Sequence, residues 1–176
     1  MDKPTLISHL STRYQLFTNY LATLTGEEFE WSTNGKWTAG QQLEHLCLSV
    51  KPLVRTLWLP AFLLKLGLGK ANRSSKTYEQ LVAKYVEKLA AGGRATSRFI
   101  PQPVGVELQG KRSQQLLGLI DQLTRQIGHF TEKDLDTIIA PHPLLGRVTL
   151  REMMYFTIYH VEHHQNTIKN QLANRG

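Results

Sequence analysis

The sequence predicts an all-α fold: a four-helix bundle with one additional short helix and an extended connection before the third long helix. Three observations carry this. Apolar residues recur at three- and four-residue spacing through most of the chain. Threonine stands three residues before Gln or Glu at Thr38/Gln41, Thr77/Gln80 and Thr149/Glu152, each time just ahead of a periodic segment, as a helix capping box requires. No segment shows a sustained strand alternation. With 176 residues, 41% of them hydrophobic and 20% charged, the chain has the size and balance of one ordinary domain, so residues 1–176 are read as a single unit.

Leu6, Leu10, Tyr14, Phe17, Leu21 and Leu24 predict a first helix from Thr5 to Leu24, ended by Gly26, and residues 27–36 read as a loop. The Thr38 cap opens a second helix running to Leu66. Pro52 and Pro60 lie inside it, and because proline lacks an amide donor and clashes with the preceding turn, a kink or break is expected near Pro60. The short helix follows the Thr77 cap, from Tyr78 to Ala91, and Gly92-Gly93 ends it. Residues 94–110, with Pro101 and Pro103, form the extended connection, a candidate lid over the bundle. Leu116, Leu119, Ile120, Leu123 and Ile127 define the third long helix, Arg112 to Phe130, with an extra turn at Thr131 to Asp134. Pro141, Pro143 and Gly146 are expected to prevent regular structure before the last helix, which the Thr149/Glu152 pair starts and which reaches Leu172.

The formal charge is +7, which raises the question of nucleic acid. Lys65, Lys70, Arg73 and Lys76 are the densest basic stretch, but no aromatic residue interleaves them to stack on bases, and no zinc-finger or RNA-binding signature accompanies them. A solvated basic surface is the reading adopted, and nucleic acid is not an expected partner. Cys47 is the only cysteine, which rules out an internal disulfide and a cysteine-based zinc cluster and suits a reducing cytoplasm. Met1-Asp2-Lys3-Pro4 lacks the apolar core of a secretory signal. The apolar run from Leu57 to Leu68 is interrupted by Pro60 and Lys65 and falls short of the roughly 20 residues needed to span a bilayer. It reads as a buried segment or an interface.

The last helix carries Tyr159-His160-Val161-Glu162-His163-His164. At about 100° per residue, His160 and His164 lie only about 40° apart on one face and can grip one ion. The apolar stripe of Leu150, Met153, Met154, Thr157, Val161, Ile168 and Leu172 brackets His164 and has His160 at its margin, so both point inward. His163 lies about 60° to the other side of His160, off the stripe, although an i, i+3 pair of His160 and His163 also supplies ligands in bundle metalloproteins. An open zinc site takes three protein ligands and a water, so a third donor must come from elsewhere. His45 is the candidate, at the edge of the stripe of Leu43, Leu46, Val50, Leu53 and Leu57. His9 and His129 lack a comparable partner, as does His142, which precedes the last helix and is near enough in sequence to approach the site. The residue after His160 is Val161, so the glutamate of a His-Glu-x-x-His zinc protease is missing. Cys47 lies about 200° around the helix from His45 and is not assigned a role.

The segment from Lys36-Trp37-Thr38 through Gln41-Gln42-Leu43-Glu44-His45 resembles the start of the second helix in the DinB/YfiT-like superfamily of helical-bundle metalloenzymes. The stretch from Pro141-His142-Pro143 through Thr149-Leu150-Arg151-Glu152, followed by His160-Val161-Glu162-His163-His164, resembles that superfamily's last helix. The order and separation of these pieces extend the likeness over nearly the whole chain. The resemblance implies a four-helix bundle in which His45, His160 and His164 bind a divalent ion, zinc or nickel in the first place, with iron or copper as alternatives. It also implies a homodimer, for which Trp58 to Leu68 would serve as an interface.

The implied function is a metal-dependent enzyme, a transferase or hydrolase, that activates a low-molecular-weight thiol or water against a small-molecule substrate. Three neutral imidazoles leave a coordination position open at which a thiol or water loses its proton more readily. Arg147 and Arg151 are candidates for holding a carboxylate of the thiol or substrate, against a solvated helix end. The alternative is a non-catalytic helical module in which the histidines only bind metal.

Overall fold

The computed structural model describes residues 1–33 and 35–175, among which there are eight α-helices and one two-stranded hairpin. The bundle consists of α1 (Lys3–Ala22), α3 (Ala39–Leu57), α6 (Gln109–Gly128) and α8 (Leu150–Ala173). α6 packs between α1 and α3, α1 packs against α8, and α3 meets α8 along the loosest of the four seams. Leu6, Leu10, Tyr14, Phe17 and Leu21 of α1 close on Leu43, Leu46 and Val50 of α3, Leu116, Ile120 and Leu123 of α6, and Met154, Ile158 and Val161 of α8, all fully or almost fully buried. α5 (Tyr78–Ala90) lies on the outer side of α8, with Tyr85 edge-on to Phe156 and Tyr159.

The predicted caps start the helices where expected. The side chains of Thr38, Thr77 and Thr149 each accept a bond from the amide three residues on, and the side-chain oxygens of Gln41, Gln80 and Glu152 accept one from the threonine amide in return. α3 runs through Pro52 and stops at Leu57; Pro60 then opens α4 (Ala61–Gly67), which leaves α3 at 106°. No single described helix is long and apolar enough to cross a membrane. The connection between α5 and α6 is extended, with single 3-10 turns at Ser97–Phe99 and Val106–Leu108.

Three expectations need correction. Residues 27–36 are not all loop, because Thr25 and Glu28 form a capping box that starts the one-turn helix α2 (Gly26–Glu30), too short to show a period. The extra turn after α6 is a longer helix, α7 (Glu132–Thr137), capped by Thr131. The segment before α8 is regular: β1 (Ile139–His142) and β2 (Gly146–Thr149) pair antiparallel, with Ala140 opposite Val148 and His142 opposite Gly146. In a two-stranded ribbon both strands are edges, which tolerates Pro141, and Gly146 takes the left-handed conformation the turn needs (φ 75°).

The basic stretch stays at the surface, with Lys70 and Arg73 exposed, but Lys65, Arg73 and Lys76 are also ion-paired. Lys65 pairs with Asp134, while Arg73 (2.6 Å) and Lys76 (3.5 Å) converge on Glu152, whose side chain is fully buried. Burial pushes the Glu152 carboxyl up, but the Arg73 guanidinium and the amides of Lys76 and Thr149 outweigh it and hold it near 2. Asp134 is also held near 2, by the Lys65 ammonium and the Thr131 cap. α7 is thereby tied to α4, and the start of α8 to the loop between α4 and α5.

Gly40 is where the extended connection crosses the start of α3: a Cβ there would lie 2.3 Å from the Val104 carbonyl oxygen and 2.9 Å from the Phe29 ring. Helix propensity alone favours alanine over glycine by about 1 kcal/mol. Gly40→Ala is nevertheless expected to destabilise the protein by about 1–3 kcal/mol through overpacking, read from urea unfolding. A second expectation concerns acid. Carboxylates whose folded pKa is depressed contribute stability above their ordinary values, 4.5 for Glu152 and 3.8 for Asp134, and lose it as the pH falls toward 2. The thermal midpoint should therefore drop between about pH 4.5 and 2, and Glu152→Gln should lower the midpoint at neutral pH while flattening that drop.

Candidate metal centre

His45 sits in the second turn of α3, where the Thr38 cap sets the phase of the helix, and His160 and His164 sit one turn apart on α8. Across the α3–α8 seam, where a bundle would ordinarily place leucines, the three imidazoles meet. His160 Nε2 lies 3.2 Å from His45 Nε2 and 2.9 Å from His164 Nε2, and one ring nitrogen from each of the three falls within 4.8 Å of the others. All are buried, with relative exposures of 5%, 4% and 6%.

The opposite ring nitrogens fix the protonation pattern. His45 Nδ1 is 2.7 Å from the Phe99 carbonyl oxygen, and His164 Nδ1 meets Gln42 Oε1. Both partners are acceptors, so both histidines carry their hydrogen on Nδ1 and turn a bare Nε2 lone pair toward His160. Burial lowers the pKa of His45, and burial together with the neighbouring imidazoles drives His160 and His164 well below the ordinary value of 6.5. Neutral imidazoles with lone pairs aimed at one another lack enough donors to satisfy themselves. A cation supplies what they lack: a tetrahedral ion about 2.05 Å from each nitrogen sets them roughly 3.3 Å apart, close to the separations found. The donor set fits a divalent ion.

Trp37 covers the cluster, with its ring 4.9 Å from that of His45 and stacked on His164 at 6.4 Å. On the α5 side, Phe156 stacks on His160 at 4.6 Å and Tyr85 stands edge-on to it. The centre lies in a cleft of about 1340 Å³, walled by α3, α8, the end of α5, the hairpin and residues 93–100 of the extended connection. That connection does lie over the site, as a lid would, and its Phe99 carbonyl holds His45.

The remaining candidates fall outside the cluster. His163 is half-buried, lines the cleft and packs against His164 at 5.3 Å without joining the converging nitrogens. His142 lines the cleft and packs its ring on Phe156 at 4.2 Å without joining the converging nitrogens; its Nδ1 accepts from the Leu144 and Leu145 amides and so caps the hairpin turn. Burial lowers its pKa to about 4. His9 lies in α1 and His129 is exposed at the end of α6. Cys47 faces α6, where its thiol reaches the Arg112 carbonyl at 3.9 Å and burial pushes it up to about 12.

The two arginines do not reach the cleft, contrary to the role considered for them. Arg151 is buried and spans Asp136 (2.7 Å), Glu132 (2.6 Å) and the Met1 carbonyl oxygen (2.8 Å), and Arg147 reaches the Leu68 carbonyl from the outside of the hairpin. Three contributors to the centre escaped sequence reasoning. Gln42 is three residues before His45 and therefore on the same helical face, a signal that was available. Trp37 and the Phe99 carbonyl had none, since a ring ahead of a helix and a backbone oxygen in a loop carry no periodicity.

The family model for the DinB superfamily matches residues 9–168, which include all three histidines. Comparisons with curated proteins and with solved structures give no match.

Groups that hold the second nitrogen of a ligating histidine typically change metal affinity by about 10- to 100-fold when removed. Gln42→Leu should weaken binding of zinc or nickel by that factor in competition with a chromophoric chelator. Gln42→Glu, which keeps an acceptor for His164, should not.

Proposed function

The chain belongs to the DinB superfamily, and from that premise we propose that it is a metal-dependent enzyme in which His45, His160 and His164 hold a divalent ion and a low-molecular-weight thiol or water is activated against an electrophilic small molecule. The observation that carries this reading is the convergence of three buried, neutral imidazoles on one point, two of them locked by acceptors behind them, at the wall of a large cleft. Three nitrogen donors leave room for a fourth ligand. A divalent ion so held lowers the pKa of a thiol or water that reaches it, so that the anion forms near neutral pH. Zinc and nickel suit the imidazole set best, and iron and copper remain compatible with it.

In the thiol reaction, the thiol releases its proton to solvent, its sulfur forms a bond to the electrophilic carbon, and the leaving group departs with its electron pair. The chain's own residues supply position and dryness. Gln42 and Phe99 keep two rings in the tautomer that presents Nε2, Trp37 and Phe156 wall the centre, and the 93–100 segment limits water. Two further parts of the reading rest on other features. A homodimer is supported by the apolar surface at the end of α3 and on α4, where Trp58 is 80%, Phe62 68% and Leu66 83% exposed. A cytoplasmic setting is supported by the lone, unpaired Cys47.

Elemental analysis of protein purified without a histidine tag tests the centre. One divalent ion per chain is expected in the wild type and in His129→Ala, and none in His160→Ala; a wild type that takes up no metal under any loading overturns the reading. The cobalt-substituted protein, titrated with small thiols, should develop a sulfur-to-cobalt charge-transfer band. A spectrum that neither thiols nor other ligands perturb would instead show a saturated ion and a non-catalytic metal-binding module.

A further inference from the structure

The cleft runs the whole length of α8, from Leu150 to Asn174, and the histidines divide it at its middle. At 1.5 Å per residue, each half is about 15 Å long. The two halves differ in chemistry. Gln42 meets His164 and His45 meets His160, so α3 runs antiparallel to α8, which places the C-terminal part of α3 beside the start of α8. On that side of the histidines the lining is mainly hydrocarbon, with Thr56 and Thr157 as its polar exceptions on the two helices: Val50, Leu53 and Leu57 of α3 and Leu150 and Met153 of α8 line it, with Leu68 beyond the end of α4. On the other side, beyond the Trp37 ring, it is polar: Thr33, Lys36, Thr167, Asn170, Gln171 and Asn174. Gln171 is 7% exposed, and its Nε2 is buried without a hydrogen-bond partner among the described residues, a donor cost that an acceptor on a ligand would remove.

We infer that the cleft binds an amphipathic small molecule, or a pair of reactants with that combined shape, whose hydrocarbon part occupies the arm between the histidines and Leu57 and whose hydrogen-bonding part occupies the arm toward Asn174. The division follows from sequence position along two antiparallel helices, and it sets a length. An alkyl or aryl group of up to about 15 Å fits the apolar arm before it meets the base of the hairpin. The cavity exceeds the roughly 300–1,000 Å³ of most small-molecule sites, which agrees with an occupant that fills both arms. That the junction of the two parts is the reacting atom rests on the proposed function; the two-armed recognition does not.

The test uses straight-chain fatty acids from hexanoate to tetradecanoate as probes, with binding to metal-free and to zinc-loaded protein followed by calorimetry. Burial of one methylene corresponds to about fourfold in affinity, so affinity should climb by roughly that factor per added carbon and then level off once the arm is full. Leu53→Trp, which fills the arm without adding charge, should weaken decanoate at least tenfold and move the plateau to shorter chains, and Leu68→Trp should do the same from the other wall. Phe62→Ser, on the exposed surface of α4, should change nothing. Affinity independent of chain length overturns the inference, as does loss of binding in Phe62→Ser with both tryptophan variants unaffected. Chain-length dependence in a protein that takes up no metal would retain the two-armed cleft and remove the metal reading. Metal uptake without chain-length dependence would do the reverse.

Discussion

The α3–α8 seam is held by three imidazoles whose lone pairs face one another, and much of the surrounding structure answers to that. Neutral imidazoles meeting nitrogen to nitrogen are a poor way to join two core helices, because with His45 and His164 protonated on Nδ1 the three converging nitrogens share at most one ring hydrogen. The arrangement persists because the rings are immobilised from behind: Gln42 takes the hydrogen of His164, the extended connection brings the Phe99 carbonyl to His45, and Trp37 and Phe156 pack against the ring faces. The looseness of the seam and the cleft along it have the same origin. Imidazoles meeting tip to tip hold two helices farther apart than interdigitating leucines do.

The stability that permits this lies elsewhere in the molecule. α6 makes close apolar seams with both α1 and α3, and the end of the bundle around the hairpin is tied by Glu152 with Arg73 and Lys76, by Arg151 with Asp136 and Glu132, and by Asp134 with Lys65. Glu152 serves twice, as the reciprocal half of the α8 cap and as the anchor of the loop before α5. One buried carboxylate thus sets where α8 begins and, ten residues on, the rotational phase at which His160 and His164 point into the seam. A charge cluster far from the histidines is in this sense part of their positioning.

Most of the bundle was legible because it is written in local rules. Capping boxes and apolar spacing depend on residues within one or two turns, so Thr38, Thr77 and Thr149 could be recognised as helix starts and the break near Pro60 anticipated. The elements missed were those too short to display a period, namely α2 and the hairpin. The ion pairs of the basic stretch from Lys65 to Lys76 were not legible for a different reason: the partners Asp134 and Glu152 are distant in sequence, and nothing local reveals that a lysine will find a carboxylate there.

The centre divides along the same line. Helix geometry by itself selected His160 and His164, because a pair one turn apart must share a face, and it set Cys47 aside by the same angle. His45 could only be nominated from its helix, and the family likeness named it. The tertiary structure alone brought the three nitrogens to one point, supplied Gln42, Trp37 and the Phe99 carbonyl around them, and withdrew Arg147 and Arg151 from any role in the cleft. The reason is physical: intrahelical direction is fixed by 3.6 residues per turn, whereas the facing of two helices is decided by packing among residues more than a hundred positions apart.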